Sequence, residues 1–531
     1  MDKKTPEKVK YPIGQQDFKV LRQQGRLYVD KTKYIEQLVE EDQYYFLARP
    51  RRFGKSLFLS TLKYFFEGER ELFKGLYIDS IEWNWEKYPV LHLDLNPERY
   101  FDKDTLENIL NARFEEWEKV YDIENDGGDY SRRFRRIIEN AHKKTGRQVV
   151  ILVDEYDKPL VGNLNRSDHF EYFQEKLASI YSNFKSSAEH IKLVFITGVS
   201  RFSKLSVFSD LNNLRDISFS EDFADICGIT EAELHQYFIP GIQTLADKEG
   251  ISFEEACVEL KLNYDGYRFS RGGSDIYNPW SVLNAMRESV VYDYWAETGK
   301  PTIVVEALHN RNVDLEKILN TECTLDQLKG LDLSNIDPLP LLYQTGYLTI
   351  KAYDRETKLF NLGIPNREVS RDLFKALLPY YISVERDTPD SVTRDILNAI
   401  LKGEPAKMME SIDIFLAGIP YEMKIDDENN FHNAVYILLR LIGARTETEV
   451  HTSDGRIDLL VKTPKFIYII ELKFGKDSQT AINQIEKKQY HLQFRLDPRQ
   501  VFHIGANFNN MTRRLDKPEI RKIEPSLLKK S

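Results

Sequence analysis

Residues 49–56 combine side chains that bind polyphosphates: a run of arginines is followed by Gly54, Lys55 and Ser56. An apolar stretch precedes them, and a stretch with helical apolar periodicity follows. In such a layout the backbone N–H groups at the helix start face phosphate oxygens, a lysine reaches the β- and γ-phosphates, and a serine hydroxyl binds Mg²⁺. The pattern therefore predicts a strand, a phosphate-binding loop and a helix, with Arg52, Gly54, Lys55 and Ser56 on the nucleotide.

The loop departs from the usual pattern at its first position. Loops of this kind begin with a glycine five residues before Gly54, and here that residue is Arg49. Pro50 also removes one backbone N–H donor, while the arginines add positive charge. Taken alone, the motif also fits an ordinary basic helix N-terminus, so the nucleotide interpretation needs a second signal.

That second signal lies about a hundred residues further on. Residues 149–153 form a continuous apolar, β-branched run, which is typical of a strand buried on both faces of a parallel sheet. The run ends in Asp154 and Glu155, at the edge of the sheet where ligands bind. We expect Asp154 to support Mg²⁺ through its water shell and Glu155 to polarise the attacking water. Two solvated carboxylates at a strand end are the alternative, but order and spacing favour an ATP·Mg²⁺ site.

A further buried-strand pattern, residues 191–199, leads into polar residues. In nucleotidases that insert an extra strand between the loop strand and the acidic strand, this position carries the residue that senses the γ-phosphate, and Thr197 and Ser200 are suitable. Arg201 could neutralise transition-state charge as an arginine finger does, although an ordinary surface arginine is the simpler interpretation. The sequence leaves open whether Arg201 acts in its own subunit or on a neighbour in a homo-oligomer.

A second group of reactive side chains lies near the carboxyl end. A turn at residues 454–455 joins two extended stretches, and Asp458 lies in the second of them. The apolar strand that follows is polar only at Glu471 and Lys473, which share one face because side chains alternate along a strand. Two carboxylates and a carbonyl oxygen form an oxygen-only site for Mg²⁺ or Mn²⁺, and a lysine can orient or deprotonate water. An exposed strand face with an ion pair is the alternative.

Composition limits the class of protein. The 531 residues are 41% hydrophobic and 30% charged, which is typical of a globular chain with several cores. Three scattered cysteines (Cys227, Cys257 and Cys323) fit neither a disulfide framework nor a zinc site, and the start of the chain lacks a signal-peptide core. No apolar run approaches the length of a membrane span. We therefore expect a soluble, cytoplasmic protein with no membrane partner.

Charge is distributed unevenly along the chain. The formal net charge is −10, yet residues 462–531 carry 15 Lys and Arg against 7 Asp and Glu, a net charge of +8 that leaves −18 for the rest. A basic carboxyl-terminal segment on an acidic body points toward a phosphate-rich partner such as DNA. A solvated basic tail explains the charge equally well.

Residues 11–220 resemble the bacterial AAA-ATPase-like family. That family contains the Arg-Pro-Arg-Arg-Phe-Gly-Lys form of the loop, so the resemblance accounts for Arg49. It implies a P-loop NTPase fold, with a parallel sheet and helices on both faces, and ATP and Mg²⁺ as ligands. The matching segments are Tyr28–Thr32, Arg49–Ser56, Val153–Asp157 and Ser206–Asn213.

Residues from about 410 to 510 resemble a PD-(D/E)XK nuclease-superfamily domain, of the kind often fused to that ATPase. The resemblance implies that Asp458 and Glu471 bind metal and that Lys473 assists catalysis. The matching residues are Gly455–Asp458, Glu471–Lys473, Gln484, Ile485, Lys488 and Tyr490.

The same resemblance places other residues around this second site. Gln484 and Tyr490 would lie on the helix beside it. An early acidic residue on the first helix completes some sites of this kind, and Glu428 is the nearby candidate.

The fold expected from these signals is α/β in three parts. Residues 1–225 form the ATPase-like domain, residues 226–410 a mostly helical middle that is a lid or winged-helix-like, and residues 411–531 a restriction-endonuclease-like domain. The leading hypothesis is an ATPase whose nucleotide state controls a Mg²⁺-dependent DNA endonuclease. The alternatives are a nucleotide-dependent switch or scaffold that binds nucleic acid or protein without cutting it, and an interaction protein with vestigial sites.

Overall fold

The structure is a computed structural model. It describes residues 9–96, 100, 102–124, 127–163, 166–201, 213–295, 302–311, 313–330, 337–381, 388–417, 428–443, 445–452 and 455–523. The chain divides into two compact units, one made of residues 1–297 with 321–368 and the other of residues 298–320 with 369–531. The predicted middle segment therefore contributes residues to both units, and the three-domain division stays a prediction.

Strands occur in both compact units. The strands are β1 (Tyr44–Ala48), β2 (Val90–Asp94), β3 (Val149–Asp154), β4 (Ile191–Gly198), β5 (Arg215–Asp216), β6 (Ile229–Thr230), β7 (Ile276–Tyr277), β8 (Glu322–Cys323), β9 (Thr349–Tyr353), β10 (Phe360–Gly363), β11 (Arg445–Thr452), β12 (Gly455–Lys462), β13 (Phe466–Phe474), β14 (Gln500–Asn509), β15 (Arg514–Leu515) and β16 (Glu519–Ile523).

The helices of the described residues are mostly short to medium in length. They are α1 (Phe18–Gln23), α2 (Lys33–Glu41), α3 (Lys55–Phe66), α4 (Asp104–Val120), α5 (Tyr130–Thr145), α6 (Lys158–Val161), α7 (Ser167–Tyr181), α8 (Asn183–Ser186), α9 (Glu231–Tyr237), α10 (Ile239–Glu249), α11 (Phe253–Tyr264), α12 (Pro279–Glu288), α13 (Thr302–Asn310), α14 (Leu315–Leu319), α15 (Leu325–Lys329), α16 (Pro338–Thr345), α17 (Arg367–Tyr381), α18 (Thr388–Lys402), α19 (Pro405–Ala417), α20 (Glu428–Leu441) and α21 (Ser478–Lys487). None of these helices is both long enough and apolar enough to cross a membrane.

The first unit is built on a parallel sheet. Its strand order is β2-β3-β4-β1-β5, so β4 lies between the loop strand β1 and the acidic strand β3, as predicted. Every residue of β3 is buried, which confirms the expectation of a strand covered on both faces. In this sheet the carboxyl ends of β1, β3 and β4 meet at one edge, and the candidate site residues follow there.

The middle part of the first unit is mostly helical. Thr230 and Glu233 form a capping box at the start of α9. Helix α16 ends at Gly346, and strand β9 follows. Strand β9 pairs with β10 in a small antiparallel sheet of order β8-β10-β9. Thr32, which precedes α2, makes no capping hydrogen bond; its hydroxyl donates to Asp30 and accepts from the backbone N–H of Ile78.

The second unit is built on a mixed sheet. Its order is β11-β12-β13-β14-β15, and β16 pairs with β14 near the start of that strand, whereas β15 pairs with its end. Strands β11 and β12 form the predicted hairpin, β12 and β13 are antiparallel, and β13 and β14 are parallel. Helix α21 covers one face over an apolar cluster that includes Ile469, Ile482 and Ile485. The predicted α/β fold class is confirmed.

Candidate functional sites

The phosphate-binding loop connects β1 to α3. Gly54 precedes the helix in the left-handed conformation (φ 94°), and no atom lies within 4 Å of the position that a Cβ would take there. The loop therefore has an open concave face at a helix start, which suits a phosphate group. The Nζ of Lys55 donates to the carbonyl oxygens of Arg49 (3.0 Å) and Pro50 (3.2 Å), so the lysine lies across this loop.

Arg49 has a structural role that the generic glycine could not fill. Its side chain is buried, and its guanidinium donates to the carbonyl oxygens of Ser218 (2.7 Å) and Phe223 (3.1 Å). The same guanidinium lies over the ring of Phe269 at 4.2 Å. The planar, five-donor side chain thus fixes the start of the loop from within the fold.

The acidic pair lies directly beside the loop. Asp154 accepts a hydrogen bond from Thr197 (2.6 Å) and one from Ser56. Burial raises the pKa of the Asp154 carboxyl, Glu155 raises it further, and the bonds from Ser56 and Thr197 oppose that rise. The Glu155 carboxylate lies 3.5 Å from the Nζ of Lys55. Five of the predicted residues are therefore brought together.

This arrangement fits a magnesium nucleotide. Ser56 and Asp154 offer a hydroxyl and a carboxylate side by side, the hard oxygen ligands that Mg²⁺ prefers. Glu155 has positive φ (52°), which is costly for a residue with a Cβ and is found at functional sites. The structure gives the local geometry, while the roles of these residues stay predictions.

Arg201 lies at the same sheet edge but does not point freely into the site. Its guanidinium is 2.8 Å from the carboxylate of Asp216, at the end of β5. It lines a small cavity together with Arg49 and Pro50 at the start of the loop. An arginine finger role would require Arg201 to leave Asp216, so the structure places it next to the site in a paired state.

Asp157 lies beside the site, and no sequence pattern above identified it. It is buried and accepts hydrogen bonds from the backbone N–H groups of Val199 (3.2 Å) and Ser200 (2.6 Å). Burial raises the pKa of its carboxyl to about 6. Asp157 therefore fixes the backbone that follows β4 and leads to Arg201. Asp157 belongs to the Val153–Asp157 segment that carries the family resemblance, and this resemblance was the signal in the sequence that could have pointed to it.

Aromatic residues of the middle segment pack against the phosphate-binding loop. Phe53 packs edge to face on Tyr267 (4.8 Å) and on Phe269 (5.4 Å), and the Arg52 guanidinium lies over the ring of Trp280 at 4.1 Å. Aromatic side chains between residues 267 and 280 are thus packed against the loop. Their contacts join residues more than two hundred positions apart, so local sequence patterns could not reveal them.

The second candidate site lies on β12 and β13. The register pairs Leu459 with Ile470, which places Asp458 beside Glu471 on the neighbouring strand. The Nζ of Lys473 donates to Glu471 (2.6 Å) and lies 4.0 Å from Asp458. The expected shared face of Glu471 and Lys473 is therefore present, and Asp458 completes the group.

Glu471 has the environment of a metal ligand. Its side chain is fully buried, and its Oε2 atom has no hydrogen-bond partner. Burial and then the charge of Asp458 raise the pKa of the Glu471 carboxyl to about 8, although Lys473 opposes the rise. A divalent cation would satisfy the orphaned oxygen and neutralise the carboxylate pair. Among the described residues, no group of three His, Cys, Asp or Glu side chains is placed to hold a metal ion.

The neighbours of this site differ in part from the prediction. Gln484 lies on α21, as expected, but Tyr490 lies beyond that helix in a 3-10 turn that spans Tyr490–Phe494. The chain leaves the α-helix at Lys488 because Gln489 adopts positive φ (51°). Tyr490 is nevertheless buried, and its hydroxyl oxygen accepts a hydrogen bond from Gln484.

Some predicted residues fall outside the described part of the chain. Glu428 begins α20, but its side chain is not among the described ones, and the same holds for Arg456 on β12. Residues 206–212 of the Ser206–Asn213 match also lie outside the described residues.

Comparison with known proteins agrees with this geometry. A family model described as "Predicted AAA-ATPase" matches residues 12–208, and a PD-(D/E)XK nuclease superfamily model matches residues 426–517. The chain is also similar to a protein of Azotobacter chroococcum mcd 1 described as "Uncharacterized protein in vnfD 5'region". The two are 32% identical over 521 residues, which cover 95% of this chain and 97% of the relative.

Proposed function

The chain belongs to the AAA-ATPase-like family that carries a PD-(D/E)XK nuclease-superfamily domain, and we propose that it hydrolyses ATP and cleaves DNA under nucleotide control. The observation that carries this proposal is the presence of two separate groups of polar side chains in one chain. Lys55 and Asp154 stand in the first, and Asp458, Glu471 and Lys473 stand in the second.

At the first site each side chain has a defined task. Lys55 would exchange the loop carbonyl oxygens it now contacts for the β- and γ-phosphates of ATP. Ser56 and Asp154 would hold Mg²⁺, which neutralises charge on the phosphates, and Thr197 keeps Asp154 in place. Once Lys55 engages phosphate, Glu155 is released from it and can orient the attacking water.

At the second site the task is phosphodiester hydrolysis. Asp458 and Glu471 would hold Mg²⁺ or Mn²⁺, which supplies Lewis-acid stabilisation of the charge that develops on the scissile phosphate. The Nζ of Lys473 is placed to orient a water molecule and to offset that charge. The basic residues of the segment 462–531 favour a DNA backbone as the substrate.

ATP hydrolysis by the Lys55→Met variant tests the first half of the proposal. The substitution keeps the buried stem of the side chain but removes the charge that contacts phosphate, so we expect hydrolysis and MgATP affinity to be lost. Lys143→Met is a matched control, because Lys143 is an exposed lysine in the last turn of α5, outside the loop. Equal hydrolysis by wild type and Lys55→Met would refute a nucleotide site here.

Binding of Mn²⁺ tests the second half without any assumption about cutting. We expect Asp458→Asn to abolish Mn²⁺ binding at this site, whereas Asp497→Asn, which changes a carboxylate paired with Arg499, leaves it intact. Nucleotide-dependent binding of DNA without cleavage would instead establish the switch or scaffold alternative.

A further inference from the structure

Helix α16 is attached to the end of β4 by Gln344. This side chain is only 6% exposed. Its Oε1 atom accepts from the backbone N–H of Arg201 (2.8 Å), and its Nε2 atom donates to the Arg201 carbonyl (3.4 Å) and to the Leu328 carbonyl (3.0 Å). One buried amide therefore fixes both main-chain groups of Arg201 to α16 and α15.

The same helix contacts the phosphate-binding loop directly. Gly346, which ends α16, has positive φ (91°), and a Cβ at this position would lie 2.9 Å from the Cβ of Pro50. The backbone of the helix end is thus packed against the second residue of the loop. No larger residue fits there without moving either the loop or the helix.

A third contact joins the helix to the strand at the edge of the sheet. The ring of Tyr343 is stacked on Phe219 (5.7 Å, interplanar angle 13°). Phe219 follows Ser218, which accepts from Arg49 and whose hydroxyl accepts from the backbone of Ala48. Tyr343, Gln344 and Gly346 therefore contact Phe219, the main chain of Arg201 and Pro50, respectively.

We propose that Gln344 is a positioning residue that holds the main chain of Arg201 in place. We also propose that a bound nucleotide changes the position of α16 through this residue. The inference rests on the nucleotide site of the proposed function. Arg201 is now paired with Asp216, and it must reorient to reach a γ-phosphate. Because Gln344 holds both main-chain groups of Arg201, a reorientation that shifts the Arg201 main chain is transmitted to α16 and to β9, which follows three residues beyond Gly346.

Steady-state ATP hydrolysis by Gln344→Met and Arg201→Ala, alone and combined, tests the positioning role. Methionine keeps the buried volume of Gln344 and removes its hydrogen bonds. We expect kcat to fall about ten- to hundredfold while the Kd for MgATP stays unchanged, because a misplaced group costs transition-state stabilisation. In the Arg201→Ala background Gln344→Met should have no further effect. Losses that multiply in the double variant would overturn the proposal.

Thr345→Val is the matched control. It removes a hydroxyl that donates only to carbonyls of the same helix, Leu341 (2.6 Å) and Leu342 (3.4 Å), without touching the nucleotide site. A fall in kcat equal to that of Gln344→Met would mean that helix stability alone matters, and would also overturn the positioning role.

Amide hydrogen exchange over β9 separates this inference from the proposed function. We expect a non-hydrolysable ATP analogue with Mg²⁺ to change exchange of residues 349–353 in wild type and in Thr345→Val but not in Gln344→Met. If wild type does not hydrolyse ATP, the proposed function fails, yet the exchange result still decides the inference. Unchanged exchange in wild type saturated with the analogue would overturn it.

Discussion

Arg49 shows how one side chain can replace a glycine in a phosphate-binding loop. A glycine at this position would give backbone freedom, whereas the buried guanidinium gives the carbonyl oxygens of Ser218 and Phe223 their donors. Contacts to its surroundings therefore fix the start of the loop. Spacing in the sequence predicts Lys55 and Ser56, but the function of Arg49 depends on partners about 170 residues away.

The Arg49→Lys variant tests this role. Lysine keeps the charge but cannot donate to both carbonyl oxygens or stack on Phe269 in the same way. We expect a loss of about 1–3 kcal/mol in the free energy of unfolding, because buried carbonyl groups lose their donors. Thermal unfolding with and without MgATP measures the loss and the weaker ligand stabilisation. The exposed Arg51→Lys should behave as wild type, and equal melting temperatures for both variants would contradict the role.

His503 predicts a pH dependence of stability in the second unit. It is buried on β14, neither ring nitrogen has a hydrogen-bond partner, and burial lowers its pKa to about 3. The groups that face it are His491, Arg521 in the strand register, and Glu486, which pairs with Arg521. The unfolded chain, with a histidine pKa near 6.5, binds the proton that the folded chain excludes.

Stability from His503 is therefore complete above pH 6.5 and is lost as the pH falls toward 3, by at most about 1.4 kcal/mol per pH unit. We expect His503→Leu to remove this part of the acid sensitivity. Hydrogen exchange of β14 between pH 7.5 and 5, corrected for intrinsic rates, is the measurement. The exposed His235→Leu is the control, and an unchanged acid slope in His503→Leu would refute the assignment.

At the scale of elements, the alternation of side chains along β13 determines which residues meet at the second site. The apolar run of β13 and its period of two predict that Glu471 and Lys473 share a face, and the hairpin signal places Asp458 on the adjacent strand. The position of Tyr490 could not be predicted this way, because the helix ends before it through a left-handed Gln489. Local periodicity therefore identifies the strands and their faces, but not the residue at which a helix ends.

Helix α21 and strand β14 approach each other at Gly505, which lies opposite Glu471 in the strand register. A Cβ at Gly505 would lie 2.5 Å from the backbone nitrogen of Ile482. We expect Gly505→Val to push the helix outward at a cost of about 1–3 kcal/mol and to abolish Mn²⁺ binding and DNA cleavage. ATP hydrolysis by the same variant is the internal control and should persist. Full cleavage activity in this variant would contradict the described packing.

At the scale of the whole molecule, the two candidate sites lie in different compact units. The acidic body and the basic carboxyl-terminal segment were visible from composition, and the α/β class followed from the strand patterns. The assignment of residues 298–320 to the second unit was not. There the side chain of Asn433 bonds to the backbone of Leu315 and Val313, and contacts at such sequence separation leave no periodic signal.

The most direct test of the whole account is a plasmid-cleavage time course with Mg²⁺ or Mn²⁺, with and without ATP. The proteins compared are wild type, Lys473→Ala and Lys55→Ala. The account predicts metal-dependent cleavage by wild type, no cleavage by Lys473→Ala, and a cleavage rate that ATP changes in wild type but not in Lys55→Ala. Absence of cleavage by wild type under every condition, or equal cleavage by Lys473→Ala, would contradict it.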